Sequence, residues 1–284
     1  MAALFGPAGC AISFAEMGYK GSLQVPEYIE RLGLDAFEYQ CGRGVNIGEE
    51  KARELGKLAK GKNIVLSLHA PYYISMSGID EEKRLNSINY ILQSARAVDW
   101  MQGDRIVVHT GSCGKLDRAE ALRLAKDTME KAIIALENEG LSHVHICPET
   151  MGKINQLGTL EEVIALCELD ERLIPCIDFG HLNARTGGEV NSKDAFREII
   201  ETIGNRLGEY RMKHFHSHFS KIEYTVGGEK KHLTFVDEVY GPNFEPLMDL
   251  VKEYGLEPIF ICESDGTQSE DALSMKNYYL KGDM

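Results

Sequence analysis

Side chains that bind divalent cations recur at one kind of place along this chain. His69 closes LSLHA, His109 lies in IVVHT, and Glu149 ends VHICPET but for one residue. Asp178 and His181 follow in IPCIDFGH, His216 and His218 in KHFHSHFS, and Glu263 in IFICES, with His232 in between. Imidazole nitrogen and carboxylate oxygen are donors that zinc and manganese accept. A lone histidine at the end of an apolar run is more often a satisfied core residue. A buried carboxylate is different, because it is costly unless paired or metal-bound. Glu149 and Glu263 each follow a hydrophobic run that carries them inward, and a shared metal cluster would satisfy the whole set together.

The runs before these residues are short and rich in Ile, Val, Leu and Phe, as expected of parallel strands buried on both faces. Eight of them are expected, at 4–9, 36–40, 64–70, 105–111, 144–150, 173–181, 212–220 and 258–264. Helical spacing fills the gaps. GEEKARELGKLAKGK keeps Ala52, Leu55, Leu58 and Ala59 on one face, and the segment from Asp80 to Gly103 does the same with Leu85, Ile88, Ile91, Leu92 and Ala95. The helix around 116–140 starts at an Asp and stops at Gly140, and Thr159 with Glu162 forms a capping-box pattern. Strand–helix alternation eight times over predicts one α/β domain, 1–284, a (β/α)8 TIM barrel. Its site then lies at the C-terminal ends of the strands, where such enzymes place their chemistry. Two segments exceed the usual loop length, 6–25 and 217–245, and long loops on that face are usually functional.

Composition agrees with a soluble enzyme. Of 284 residues, 43% are hydrophobic and 26% charged. No apolar run approaches the roughly 20 residues that span a bilayer. The apolar start lacks a basic segment and reads as a first strand, so a cytoplasmic protein without membrane association is expected. Seven cysteines, an odd number with no CxxC pair, argue against a disulfide framework. A net charge of −13 disfavours nonspecific adhesion to nucleic acid but leaves room for a local basic groove.

HAPYYIS, HTGS, CPETMGK, DFGH, HSHFSK and CES occur in this order at the expected strand ends. With them the chain resembles the endonuclease IV family of apurinic/apyrimidinic endonucleases, within the xylose isomerase-like TIM barrels. The resemblance runs from about Phe5 to the last helix. It implies a zinc-dependent hydrolase with two or three zinc ions, manganese being the alternative ion, that cleaves double-stranded DNA on the 5′ side of abasic sites. It further implies a DNA-repair enzyme acting as a monomer. Carried over by position, His69 and His109 bind one metal, Glu149 bridges to a second completed by Asp178, His216 and Glu263, and His181 and His232 hold a third. Glu149 and Glu263 are the expected catalytic carboxylates. His218 shares the face of His216 in an ideal strand and is expected behind the ligands. The family's third site takes an Asp two residues before the match to His232, and here that residue is Lys230, whose ammonium cannot ligate. Glu229 or Asp237 would have to replace it. Tyr72 and Tyr73, Arg43, and Lys221 beside Ser220 are the expected DNA contacts, with Lys230 and Lys231 as further positive charges.

A second chemistry fits part of the same set. Sugar isomerases and epimerases on a similar barrel use a Glu, Asp, His, Glu metal set, which Glu149, Asp178, His216 and Glu263 would supply. That leaves His69, His109, His181 and His232 without a task. A barrel that binds metal but has lost catalysis is the third alternative. Glu149→Ala removes the expected bridge and none of the core. Full loss of metal-dependent activity with unchanged circular dichroism is the expected result, and retained activity would sink the cluster.

Overall fold

The computed structural model describes residues 2–281. In chain order its elements are β1 (Leu4–Pro7), α1 (Ile12–Glu16), α2 (Val25–Leu32), β2 (Ala36–Gln40), α3 (Glu49–Lys60), β3 (Val65–His69), α4 (Glu81–Trp100) and β4 (Arg105–Val108). There follow α5 (Arg118–Asn138), β5 (His145–Pro148), α6 (Leu160–Cys167), β6 (Cys176–Asp178), α7 (Phe179–Arg185), α8 (Lys193–Leu207), α9 (Glu209–Lys213) and β7 (His216–Phe219). The last are β8 (Lys221–Thr225), β9 (Gly228–Leu233), α10 (Glu245–Glu253), β10 (Ile259–Cys262) and α11 (Gln268–Lys281).

One parallel sheet runs β2–β3–β4–β5 and a second runs β6–β7–β10–β1. Isolated parallel bridges join them at both seams, Ala8 to Glu38 and Glu149 to Cys176. The eight strands thereby close into a TIM barrel with the helices outside it. Leu66 and Leu68 of β3, Leu55 of α3 and Ile91 of α4 share one buried apolar cluster. Each such side chain contributes roughly 1.5–3 kcal/mol by leaving water. Residues paired in register share a face of the sheet. Glu38 pairs with Ser67 and Gln40 with His69, while Cys176 pairs with His216 and Asp178 with His218. The polar residues of alternate positions thus line the barrel interior.

Helix starts follow the local chemistry. Asp80 accepts from the Lys83 amide at 3.2 Å, and Asp117 from that of Glu120 at 3.0 Å. Both halves of the Thr159–Glu162 box form, at 3.2 and 2.9 Å. The seven cysteines are free thiols, six of them buried. Among the described residues, no helix is long and apolar enough to cross a membrane.

Three expected stretches come out differently. The run 173–181 is a strand only over β6, because the Asp178 carboxylate accepts from the His181 amide at 2.7 Å and starts α7 there. The run 212–220 begins as the short helix α9, after Gly208 (φ +86) has ended α8, and is extended only from His216. The long 217–245 segment contains the antiparallel hairpin β8–β9, turning at Val226 and Gly227. Within 6–25 lies the single-turn helix α1. Thr159→Ala removes the α6 cap. A loss of ~1 kcal/mol in urea denaturation is expected, and an unchanged midpoint would show that the cap contributes nothing.

Candidate metal centre

Glu149 follows β5 and is 1% exposed. Four histidines surround its carboxylate. His69 and His109 bring Nε2 to within 3.4 and 3.1 Å of Oε2, and His181 and His218 bring Nδ1 to within 3.3 and 3.1 Å of Oε1. Two of these rings are fixed from behind by main-chain carbonyls. His69 Nδ1 donates to Ala70 O at 2.9 Å and His181 Nδ1 to Thr150 O at 2.9 Å. That leaves Nε2 of each ring turned to a carboxylate, the way a metal-binding imidazole is usually held.

Five groups of donors are close enough to hold a cation: His69, His109 and Glu149; Glu149, Asp178, His218 and Glu263; His181, Glu229 and His232; and two more that reuse His218, one with His69 and Glu263 and one with Cys176 and His216. Glu149 belongs to two of them. The donors fit the hard and borderline divalent cations in type. Glu149 Oε2 and Asp178 Oδ2 are buried and have only imidazole nitrogens beside them, His69 and His109 at the first and His181, at 3.0 Å, at the second, so their charge is balanced by ring protons or by a cation.

The charges respond to this crowding. Burial opposes ionisation of Glu149, yet His218 and the hydrogen bonds from His109, His181 and His218 hold it well below the usual carboxylate range. Burial, with Glu263 and Glu149 nearby, pushes Asp178 up to about 6 against the pull of His181. Burial disfavours charge on His181, but Asp178, Glu149 and Glu229 raise it to about 10. Burial is likewise outweighed at His69, chiefly by Glu149, and at His218, where Glu263, Glu38 and Glu149 raise it well above its ordinary value. Without a cation, protons on these rings balance the carboxylates. Cation binding releases such protons, so the two compete.

His216, expected beside Asp178 and Glu263, lies one layer deeper. Its Nε2 is hydrogen-bonded to Glu38 Oε2 at 3.0 Å, and its strand partner is Cys176. His218, expected behind the ligands, pairs with Asp178 and takes the place beside Glu149 and Glu263. Alternation assigns both rings to the barrel interior but not to a height, and their centroids are 5.6 Å apart.

The third group depends on the hairpin. The β8–β9 register pairs Glu223 with Lys231 and Tyr224 with Glu229, skipping Lys230. Lys230 is therefore the extra residue of a β-bulge, and it turns outward to pair with Glu223. The skip places Glu229 on the same face as His232, as a regular strand would place a residue two before it. Glu229 then lies 3.4 Å from His181 Nε2 and 3.9 Å from His232 Nε2, and Ser220 Oγ is 2.8 Å from His232 Nδ1. Asp237 is elsewhere, its carboxylate accepting from the Val239 and Tyr240 amides. The hairpin docks where two glycines meet. Gly228 (φ +88) faces Gly152 O so closely that a Cβ would sit 2.1 Å from it. The Glu229 amide donates to that oxygen at 3.1 Å. Arg118 and Arg185 in turn donate to carbonyls of Ile154 and Gln156, fixing the loop below.

A cavity of about 770 Å³ opens over the groups, with Tyr72, Lys153, Lys230 and Lys231 among its lining. Tyr72 stacks on His109 with ring centroids 5.2 Å apart and stays 57% exposed. Burial, with Glu263 and Glu149 close by, pushes its phenol up to about 12. Tyr73 packs on Tyr90 instead. Arg43 is exposed beside the barrel mouth and outside the cavity lining. Lys221 is buried, donates to Asp237 O and faces a second cavity of about 580 Å³ with Asn191 and Asn243. Sequence reasoning missed Glu38. Its signal was a charged residue at the centre of an apolar strand, AFEYQ.

The profile of the xylose isomerase-like TIM barrel family matches residues 26–278. The chain belongs to that family. An uncharacterized protein of Methanocaldococcus jannaschii is 34% identical over 275 residues, covering 97% of this chain and 96% of that one. A probable endonuclease 4 of Malacoplasma penetrans is 28% identical over 186 residues, covering 62% of this chain and 61% of that relative. Two solved structures share the fold across nearly the whole of both chains. A D-tagatose 3-epimerase-like protein aligns with TM-score 0.72 at 21% identity, covering 98% of this chain and 97% of that one. Endonuclease IV of Thermus thermophilus aligns with TM-score 0.66 at 18% identity, covering 98% of this chain and 99% of that one. Proteins named as nucleases and as epimerases thus share this fold, and only the site can separate the two chemistries.

The bulge gives a direct test of the third group. Glu229→Ala is expected to lower the bound metal by one ion per chain in elemental analysis, while Lys230→Ala leaves the count unchanged. The reverse result would mean that the hairpin pairs in another register.

Proposed function

We propose that this chain is a metal-dependent phosphodiester hydrolase of the endonuclease IV type, incising double-stranded DNA 5′ to abasic sites in base-excision repair. The observation that carries the proposal is the His181, Glu229 and His232 group beside the two groups that share Glu149. A site for two cations would leave this group, with its docked hairpin, unused. The relatives named endonuclease 4 point the same way.

In this reading His69, His109 and Glu149 hold one cation, Glu149, Asp178, His218 and Glu263 a second, and His181, Glu229 and His232 a third. Zinc fits these donors, with manganese as the alternative. Bound there, such cations supply Lewis acidity, an acidified water and neutralisation of phosphate charge. The protein's own contribution is placement. Glu149 would be shared by two of the groups, its Oε2 facing His69 and His109 and its Oε1 facing His181 and His218. Glu263, partly open to the cavity and 3.5 Å from His218, is the carboxylate placed to orient a water or hold its proton. Lys153 brings positive charge to the mouth of an otherwise acidic protein, where a phosphate backbone would lie, beside Lys230 and Lys231, which are paired with Glu223 and Asp265. The exposed Tyr72 ring is a surface on which an unstacked nucleotide can rest.

One observation favours a second reading. Glu149, Asp178, His218 and Glu263 form a single group of the residue types that sugar isomerases use, so epimerisation of a free ketose is the alternative. A duplex with one abasic site, assayed with metal analysis of the same sample, separates the two. Cleavage 5′ to the lesion with about three ions per chain is expected. Absence of cleavage, one or two ions, and turnover of a ketose would replace the nuclease by the epimerase.

A further inference from the structure

Beneath the cation groups the barrel encloses a carboxylate that the proposed function leaves without a task. Glu38 of β2 is fully buried. Its Oε2 accepts from His216 Nε2 at 3.0 Å and from the Ser67 hydroxyl at 3.0 Å. Its Oε1 accepts from the Gln40 amide at 3.2 Å and lies in ion-pair contact, also 3.0 Å, with His218 Nε2. The opposite nitrogen of His218, Nδ1, is 3.1 Å from Glu149 and 3.5 Å from Glu263. One ring therefore spans the closed interior and the cavity, with a carboxylate on each side.

We propose that Glu38 is a positioning residue for the cation centre, keeping His218 protonated on Nε2 so that Nδ1 is the nitrogen that binds the cation. The inference rests on the metal-centre reading above. A neutral imidazole carries one proton, and the partner on one nitrogen decides which nitrogen keeps a free lone pair. A carboxylate behind a ligating histidine also makes the ring a stronger donor. Ser67 and Gln40 fix the Glu38 carboxylate from its own half of the barrel. His216 fixes it from the strand that carries His218, so carboxylate and ligand cannot shift independently. Burying such a charge is costly unless it is paired, and the contact with His218 is what links this one to the cavity.

Glu38→Gln keeps the shape and removes the charge. Metal-free protein titrated with zinc against a chromogenic chelator reads each affinity. The affinity for one zinc ion is expected to fall about 10- to 100-fold, with the remaining affinities unchanged. Equal affinities in both proteins would overturn this inference alone. Wild-type protein that takes up no zinc would overturn it together with the metal-centre reading. A second measurement needs no variant. In zinc-loaded wild-type protein labelled with ¹⁵N-histidine, NMR is expected to show His218 with a proton on Nε2 and zinc on Nδ1. Zinc on Nε2, the side where Glu38 lies, would reverse the assignment and overturn the inference.

Discussion

A single negative charge in a dry place organises the C-terminal face of this barrel. Glu149 is carried inward by β5 and meets His69, His109, His181 and His218 within 3.4 Å. In water such contacts would contribute little. With solvent excluded, an uncompensated carboxylate costs several kcal/mol. The surrounding side chains must therefore supply positive charge, as protons on the rings or as cations between them. The main-chain bonds that hold His69 and His181 and the ionisation pattern of Asp178 both follow from that requirement.

Much of this was legible beforehand because strand ends announce themselves. A run such as VHIC followed by an acid has few structural explanations, and repetition of the pattern reveals the barrel. What stayed hidden was position along the strand. His216 and His218 are equivalent by alternation, and only the register against Cys176 and Asp178 tells them apart. The Glu229 position was hidden for a related reason, since a bulge changes which residue faces inward and leaves no plain mark in EKKH. The hairpin itself was signalled by VGG between two polar, β-prone runs, but polar strands on both faces read as loop. Glu38 stayed hidden because its two histidine partners, His216 and His218, come from far along the chain.

The family resemblance explains why the barrel was easier to read than the activity. In this chain the strands position carboxylates and imidazoles in the interior. The differences sit in what is laid over the mouth, which is the usual division of labour between scaffold and loop. Here the overlay is β8–β9, held by the close approach of Gly228 to Gly152 and by the paired arginines beneath.

The two seams have a wider consequence. Main-chain hydrogen bonds cross each of them, Asp35 N to Phe5 O and Gly9 N to Glu38 O at one, Ile174 N to Ile146 O and Thr150 N to Cys176 O at the other, and join the two sheets into one barrel. His69, His109 and Glu149 belong to one half, and Asp178, His218 and Glu263 to the other. A cation shared by Glu149 and the second set would tie together the strands on the two sides of the β5–β6 seam. Its binding energy then adds to the cohesion of the native state, in the manner of any ligand that binds only the folded form. On the proposed reading, occupancy of the centre and integrity of the barrel would be one coupled equilibrium, so that loss of metal would loosen the architecture along with the chemistry.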